Sequence, residues 1–379
     1  MCIRDRYLDN AATTKVSENA VKEMVNAMTV DFGNPSSLYD FGMRAEKLVS
    51  DSRNTIANLL NVRSENVFFT SCGTEGNNIS INGSVTNDKK EEFITTNIEH
   101  SSVFKTYNKL KENRTVHFVN VSDDFKVDDI IDLINEKTRL VSVMHVNNET
   151  GKILPITELG KRIKEKNPNT LFHVDGIQGF GKIKLDINEA KIDFYTISGH
   201  KIHAPKGIGA IFIRNPERVK PLIIGGSQES GISPGTENVA GIVALKCASK
   251  EVFSKIDETY DRLYKMKSYL MDELSKIDGV YFNSKLEGYS PYITNVCFNY
   301  IKSEVLLHYL EQDGIYISTG SACNGSKKSR IIQSINTPDE FSDGCIRISF
   351  TDDTPEDVLD VFVEKLKLRL EDIRDIMRR

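Results

Sequence analysis

Apolar residues recur along this chain in two periods. Residues 17–28 and 36–60 carry them at helical spacing; in the longer stretch Leu38, Phe41, Ala45, Leu48, Ile56 and Leu59 fall near a 3.6-residue repeat. Short apolar runs then alternate with helical stretches. Residues 67–70, 93–95, 115–119, 140–144 and 171–174 read as strands, and residues 75–85, 101–111 and 156–166 as helices. That alternation predicts an α/β fold with a mainly parallel sheet and helices on both faces. The runs around Phe194 and Ile211 are expected to add an antiparallel element. A helical stretch from 238 to about 277 is expected to carry the chain into a second region, where strands at 293–298 and 346–350 mix with helices. The last helix has a start signal: Thr354 as N-cap, Pro355 at the first position, Glu356 and Asp357 in the first turn. Val358, Val361, Phe362, Leu366, Ile373 and Met377 form its expected buried stripe.

A length of 379 residues allows two domains and a large core. Charged residues make up 27% and apolar residues 39%, the balance of an ordinary globular protein. A net charge of -5 gives no electrostatic case for nucleic acid as a direct ligand. No apolar run approaches the roughly 20 residues needed to span a bilayer, and no signal peptide is visible. The six cysteines (Cys2, Cys72, Cys247, Cys297, Cys323, Cys345) are scattered without a CxxC pair. Their spacing argues against a zinc site or a disulfide framework and suits a reducing cytoplasm. Residues 1–6 do not read as the start of the fold and are left out of it.

Candidate chemistry concentrates in two places. Lys201 stands in a tight polar turn between two strand-like runs, among Ser198, Gly199, His200 and His203. A partly desolvated lysine there can form a Schiff base with a carbonyl cofactor. Upstream, Phe172-His173-Val174 runs into Asp175 at the carboxyl end of a buried strand, where open α/β sheets bind ligands. A pyridoxal phosphate site needs a carboxylate for the pyridinium nitrogen, a lysine and donors for a phosphate. Asp175, Lys201, and Ser198 with His200 supply all three. Gly73-Thr74, between a strand and a helix, could add backbone donors for the phosphate or simply cap the helix. Cys323 lies among Gly320, Ser321, Gly325 and Ser326, with Lys327, Lys328 and Arg330 beyond. Small neighbours permit exposure and cations favour thiolate, which makes it the best nucleophile candidate in the chain.

The chain resembles the NifS/IscS-like cysteine desulfurases of aminotransferase class V. The blocks that carry the resemblance are Tyr7-Leu8-Asp9-Asn10-Ala11-Ala12-Thr13-Thr14, Gly33-Asn34-Pro35-Ser36-Ser37, Phe69-Thr70-Ser71-Cys72-Gly73-Thr74-Glu75, Ile98-Glu99-His100, Asn147-Asn148-Glu149-Thr150-Gly151, the Asp175 and Lys201 stretches, Gly235-Thr236-Glu237-Asn238, and Ser318-Thr319-Gly320-Ser321-Ala322-Cys323, continuing to Arg347.

The resemblance implies a pyridoxal-phosphate-dependent transferase of fold type I, with a large cofactor domain at 14–252 and a small α+β domain formed by 1–13 and 253–379. It implies a desulfurase that converts L-cysteine to L-alanine and leaves a persulfide on Cys323. It assigns Gly73, Thr74, Ser198 and His200 to the phosphate, joined by Thr236 from a second subunit of a homodimer. Asp175 falls to the ring nitrogen, Gln178 to the pyridoxal oxygen, and Lys201 to the covalent link. His100 stacks on the ring and assists proton transfer, Asn148 lies near cofactor and substrate, and Arg347 takes the substrate carboxylate. The implied partner is a sulfur-acceptor protein, either an iron–sulfur scaffold or a tRNA-thiolation protein, in the cytoplasm. Rivals are a selenocysteine lyase or cysteine sulfinate desulfinase and, in another class, a non-catalytic scaffold, against which Lys201 and Cys323 argue. Ser233 replaces a usual Arg, Tyr39 a frequent His, and Cys72, Gly76 and Ala204 frequent Gly, Ala and Gly.

Overall fold

The structure, a computed structural model, describes residues 6–319 and 329–378. Its centre is a seven-stranded sheet in the order Val67–Thr70, Gly209–Ile213, Phe194–Ser198, Leu171–Asp175, Thr138–Met144, Glu92–Thr96, Thr115–Val119. Gly209–Ile213 runs antiparallel to both neighbours. The other pairings are parallel. The strands alternate between two apolar layers, as the period of two demands. Phe68, Leu140, Phe194 and Ile211 join Ile79 and Tyr107 on one face. Val67, Val141, Tyr195 and Ile197 join Ile56, Leu159 and Leu245 on the other. Burial on both faces explains why these strands read as near-continuous apolar runs.

A second core gathers around the antiparallel strands Val280–Phe282, Ile293–Phe298 and Cys345–Ser349. The helices Ile256–Ser275, Ser303–Gln312 and Val358–Arg378 cover it through Leu263, Leu270, Leu306, Phe362 and Leu366. Leu8 and Ala11 are buried in this core. Arg6–Tyr7 pairs in parallel with Ile315–Tyr316, so the amino-terminal block is built into the carboxyl-terminal core. A polar cluster joins the two regions. His203 Nε2 lies 2.6 Å from Thr351 Oγ1 and 2.9 Å from Asp352 Oδ1, and Lys255 pairs with the same carboxylate.

Four expectations are corrected. The stretch from 238 onward is two helices, Val239–Ser254 and Ile256–Ser275, broken at Lys255 (φ -133°, ψ 20°). The helix expected over 36–60 is Asp40–Leu59, and Leu38 (94% exposed) and Phe41 (42%) lie outside the core. Phe41 packs its ring against Phe32, itself exposed, with centroids 5.3 Å apart. Thr354 does not cap the last helix, which begins at Val358; its hydroxyl instead accepts the Thr351 N–H at 2.9 Å. Finally, Cys297 and Cys345 face each other on antiparallel strands and form a disulfide, a pairing set by register across 48 residues. Among the described residues no helix is long and apolar enough to cross a membrane.

Candidate active site

At the carboxyl ends of the parallel strands a cavity of about 360 Å³ opens. Asp175, the last residue of Leu171–Asp175, is buried in its wall. Its Oδ1 accepts the Ile177 N–H at 3.1 Å and its Oδ2 accepts from Asn77 Nδ2 at 2.8 Å. Burial pushes its pKa up, opposed by His100, by those two hydrogen bonds and by Lys201. Lys201 closes the turn Gly199–Lys201 that follows the neighbouring strand Phe194–Ser198. Its Nζ donates to the carbonyls of Ala11 at 2.8 Å and Ala12 at 2.7 Å. The amino-terminal block thus crosses the floor of the cavity and holds the lysine head.

Gly73 opens the helix Gly73–Gly83, whose amino end faces the same cavity. A Cβ on Gly73 would lie 2.1 Å from Ile177 Cδ1, so glycine alone lets the helix end approach this closely. Thr74, Ser198 and His200 line the space beside it. His200 Nδ1 sits 3.2 Å from Thr13 Oγ1. Burial, with Lys201, Lys206 and Lys182, pushes its pKa down to about 4, so the ring is neutral. Ser233, where an Arg was expected, donates to Glu75 Oε1 at 2.7 Å. The other Glu75 oxygen receives the Ser71 N–H and hydroxyl, each at 2.6 Å. The departure therefore exchanges a cation for a neutral brace on the first turn of this helix.

His100 precedes the helix Ser101–Leu110 and caps it, accepting the Ser102 N–H. Gln178 Nε2 donates to the Ala11 carbonyl at 2.9 Å, while its Oε1 accepts from Lys182 Nζ at 3.1 Å. Arg347, on Cys345–Ser349, reaches in from the second core. Its Nη1 donates to the Asn148 carbonyl at 2.8 Å and its Nη2 to Asp9 Oδ1 at 2.6 Å. The buried Nε has no hydrogen-bond partner, and neither does Asn148 Oδ1. Of the residues singled out by sequence, Thr236 alone among those described is absent from the cavity wall; it is exposed.

Cys323 lies outside the described residues, but the chain on either side of it is placed. Ser318 pairs with Arg347 through backbone bonds of 3.1 and 2.7 Å. Ser329 lines the cavity, and its hydroxyl donates to Glu149 Oε2 at 2.5 Å. Arg330, read from sequence as a cation near Cys323, is committed elsewhere. Its guanidinium bonds the carbonyls of Asn97 and Glu99 and stacks on Phe104 at 3.7 Å.

Sequence reasoning assigned no role to Glu99, Glu149, Lys182 or Asn77. Burial pushes Glu99 up to about 8, with Asp175 adding to it, and Glu149 up to about 7. Both carboxyls line the cavity. Lys182, fully enclosed behind Gln178, is pushed down to about 7 by burial and by the charges of Lys201 and Arg347. Only the adjacency of Glu99 to His100 and of Glu149 to Asn148 in sequence could have flagged the two glutamates.

A mainly parallel sheet, a lysine and a carboxylate beside adjacent strand ends, and a helix amino terminus on the same cavity are the arrangement of a cofactor enzyme of α/β architecture. The chain belongs to the aminotransferase class-V family, whose model matches residues 6–362. It is similar to the "Cysteine desulfurase" of Nostoc sp., 39% identical over 375 residues covering 97% of this chain and 93% of that one. It is also similar to "Cysteine desulfurase IscS" of Clostridium botulinum, 37% identical over 95% of this chain and 93% of that one. A solved "NifS-like protein" superposes with a TM-score of 0.91 at 33% identity, covering 96% of this chain and 99% of that one.

The family works with pyridoxal 5'-phosphate, and the residues present fit that group. Asp175 offers a buried carboxylate and Lys201 an amine. The glycine-tight helix end offers N–H donors, while Asn148 Oδ1 and Arg347 Nε are buried polar atoms still lacking partners.

Proposed function

We propose that this chain is a cysteine desulfurase. L-cysteine and the Cys323 thiol give L-alanine and a Cys323 persulfide; the sulfur moves from substrate carbon to protein sulfur and the displaced hydrogen ends on alanine. The observation that carries the reading is the convergence of Asp175, Lys201, His100 and Arg347 on one cavity flanked by both ends of the Cys323 segment.

Pyridoxal phosphate, when bound, supplies an electron sink next to the substrate's Cα. Asp175 would hold a proton on the ring nitrogen. Gly73, Thr74, Ser198 and His200 would hold the phosphate and Gln178 the pyridoxal oxygen, while Lys201 Nζ would anchor the group and carry the substrate's Cα proton. His100 would pack against the ring, and Asn148 would orient both guests. Arg347 grips the substrate carboxylate with the edge that Asp9 and Asn148 leave open. Thr236 serves the phosphate site of a second copy, which makes the working unit a homodimer; its exposure and distance from its own cavity support this. The large domain spans 14–252 and the small one 1–13 with 253–379, in keeping with the two separate cores. The persulfide passes to an acceptor protein, an iron–sulfur scaffold or a tRNA-thiolation protein, in the cytoplasm.

The test is Lys201→Ala. This variant should lose the visible absorption of lysine-bound cofactor and release no alanine from cysteine. Parental alanine release in the variant would refute the assignment.

A further inference from the structure

His100 is connected to Asp175 by a short chain of hydrogen bonds. Asn77, fully buried on the helix Gly73–Gly83, places Nδ2 2.8 Å from Asp175 Oδ2 and 2.9 Å from Ser102 Oγ. Ser102 Oγ in turn lies 2.8 Å from His100 Nδ1, and the Ser102 N–H donates to the same nitrogen at 3.2 Å.

The donors are fixed at both ends of the chain, by Asp175 at one and by the Ser102 backbone N–H at the other. A carboxylate only accepts, so Asn77 must turn its NH₂ toward Asp175, and the second hydrogen of that NH₂ goes to Ser102 Oγ. Ser102 Oγ keeps a second lone pair, so its role toward His100 is decided by the Ser102 backbone N–H, which points at Nδ1 and would oppose a proton there; the hydroxyl hydrogen then goes to Nδ1 as well. Two donors, the Ser102 hydroxyl and backbone N–H, then converge on Nδ1, which can carry no proton of its own. The ring proton then sits on Nε2, the nitrogen that Ser102 does not engage, in a ring that lines the cavity.

We infer that Ser102 and Asn77 are positioning residues that lock His100 in its Nε2–H tautomer and tie that choice to Asp175. His100 then presents an N–H donor, not a lone pair, to the cavity. Protonating Nδ1 would break the helix cap from the Ser102 N–H and force the Ser102 hydroxyl to turn. The charged groups that face the ring come from three elements: Asp175 from the sheet, Lys201 from its turn and Arg330 from the helix Arg330–Ser334. Burial, Lys201 and Arg330 outweigh Asp175, so they too favour the neutral ring.

This inference rests on the proposed function only in placing His100 among the reacting groups. Long-range proton–nitrogen spectra of ¹⁵N-histidine-labelled holoenzyme, with His100 assigned through His100→Gln, test it directly. At pH 7 the expected pattern is a bare Nδ1 and a protonated Nε2. Ser102→Ala removes one donor and should raise the His100 titration midpoint by about one pH unit, while Ser102→Thr keeps the parental pattern. A protonated Nδ1 in the parent protein, or an unchanged midpoint in Ser102→Ala, overturns the inference. The parental spectrum needs no variant, so misfolding of Ser102→Ala cannot shield the claim. Failure to release alanine from cysteine, with the pattern intact, would strike the proposed function and not this one.

Discussion

Arg347→Lys keeps a positive charge at the site but removes the planar fork. The guanidinium reaches two fixed acceptors from different parts of the chain: Asp9 Oδ1 at 2.6 Å and the Asn148 carbonyl at 2.8 Å. Its Nε has no hydrogen-bond partner, and in the proposed role it meets the substrate carboxylate. A lysine ammonium is one point on a flexible stem and cannot serve all three. The variant should lose at least one charge-assisted bond to the substrate, worth roughly 1.5–3 kcal/mol. At about 1.4 kcal/mol per tenfold, KM for L-cysteine should rise roughly 10- to 150-fold. The chemical step does not use the fork, so kcat should fall far less. Alanine release measured across cysteine concentrations gives both constants. Cysteamine, which lacks the carboxylate, provides the control: the parent's preference for cysteine over cysteamine should shrink by the same factor. A parental KM, or a collapse of kcat with KM and the cysteamine ratio unchanged, would refute the role given to Arg347.

Two further predictions concern groups whose charge folding perturbs. Lys182 is held to about 7 against an ordinary 10.5, so its ammonium opposes folding fully below pH 7 and progressively less as pH rises toward 10.5. Relative to Lys182→Met, the parent should gain about 2 kcal/mol of stability between pH 7 and 9, the slope approaching about 1.4 kcal/mol per pH unit above the folded value; parallel urea-unfolding midpoints for the two proteins would contradict this. His203 is opposed by burial but raised on balance by the hydrogen bond and charge of Asp352. Its stabilising pair is complete below the unfolded histidine value of about 6.5 and is lost as pH climbs through the raised folded value. The parent's stability advantage over His203→Gln should therefore shrink above that range, as thermal unfolding at stepped pH would show.

The sheet was legible because strands buried on both faces leave apolar runs such as Val67-Phe68-Phe69 and Leu171-Phe172 at regular intervals between helical stretches. Asp175 and Lys201 were legible for a related reason: Asp175 is a buried charge at the end of such a run and Lys201 a half-buried one in the turn just after the next, where a charge drawn out of water needs a chemical explanation. What escaped depends on contacts distant in sequence. Lys255 breaks its helix without glycine or proline, at the point where its side chain pairs with Asp352. Thr354 has the residue type of a cap, yet its hydroxyl turns back to Thr351. Leu38 fits a helical period but precedes the helix and faces outward. Arg330 looked like a loop cation until Phe104 and two carbonyls were seen to hold it. The disulfide follows from a strand register that spacing alone does not encode. Lys182 and Asn77 matter through Gln178 and Asp175, and neither carries a local signature.

The central claim is that sulfur leaves cysteine for one protein thiol, Cys323. Single-turnover reaction of the holoenzyme with L-cysteine, with alanine quantified and the added sulfur mapped by mass spectrometry of peptides, tests it most directly. The account predicts one alanine per sulfur, with the sulfur on Cys323. In Cys323→Ser both products should vanish while cofactor binding persists, because a serine hydroxyl is not ionised near neutral pH and is a poor sulfur acceptor. Sulfur on Cys72 or another cysteine, or alanine released at the parental rate by Cys323→Ser, would contradict it.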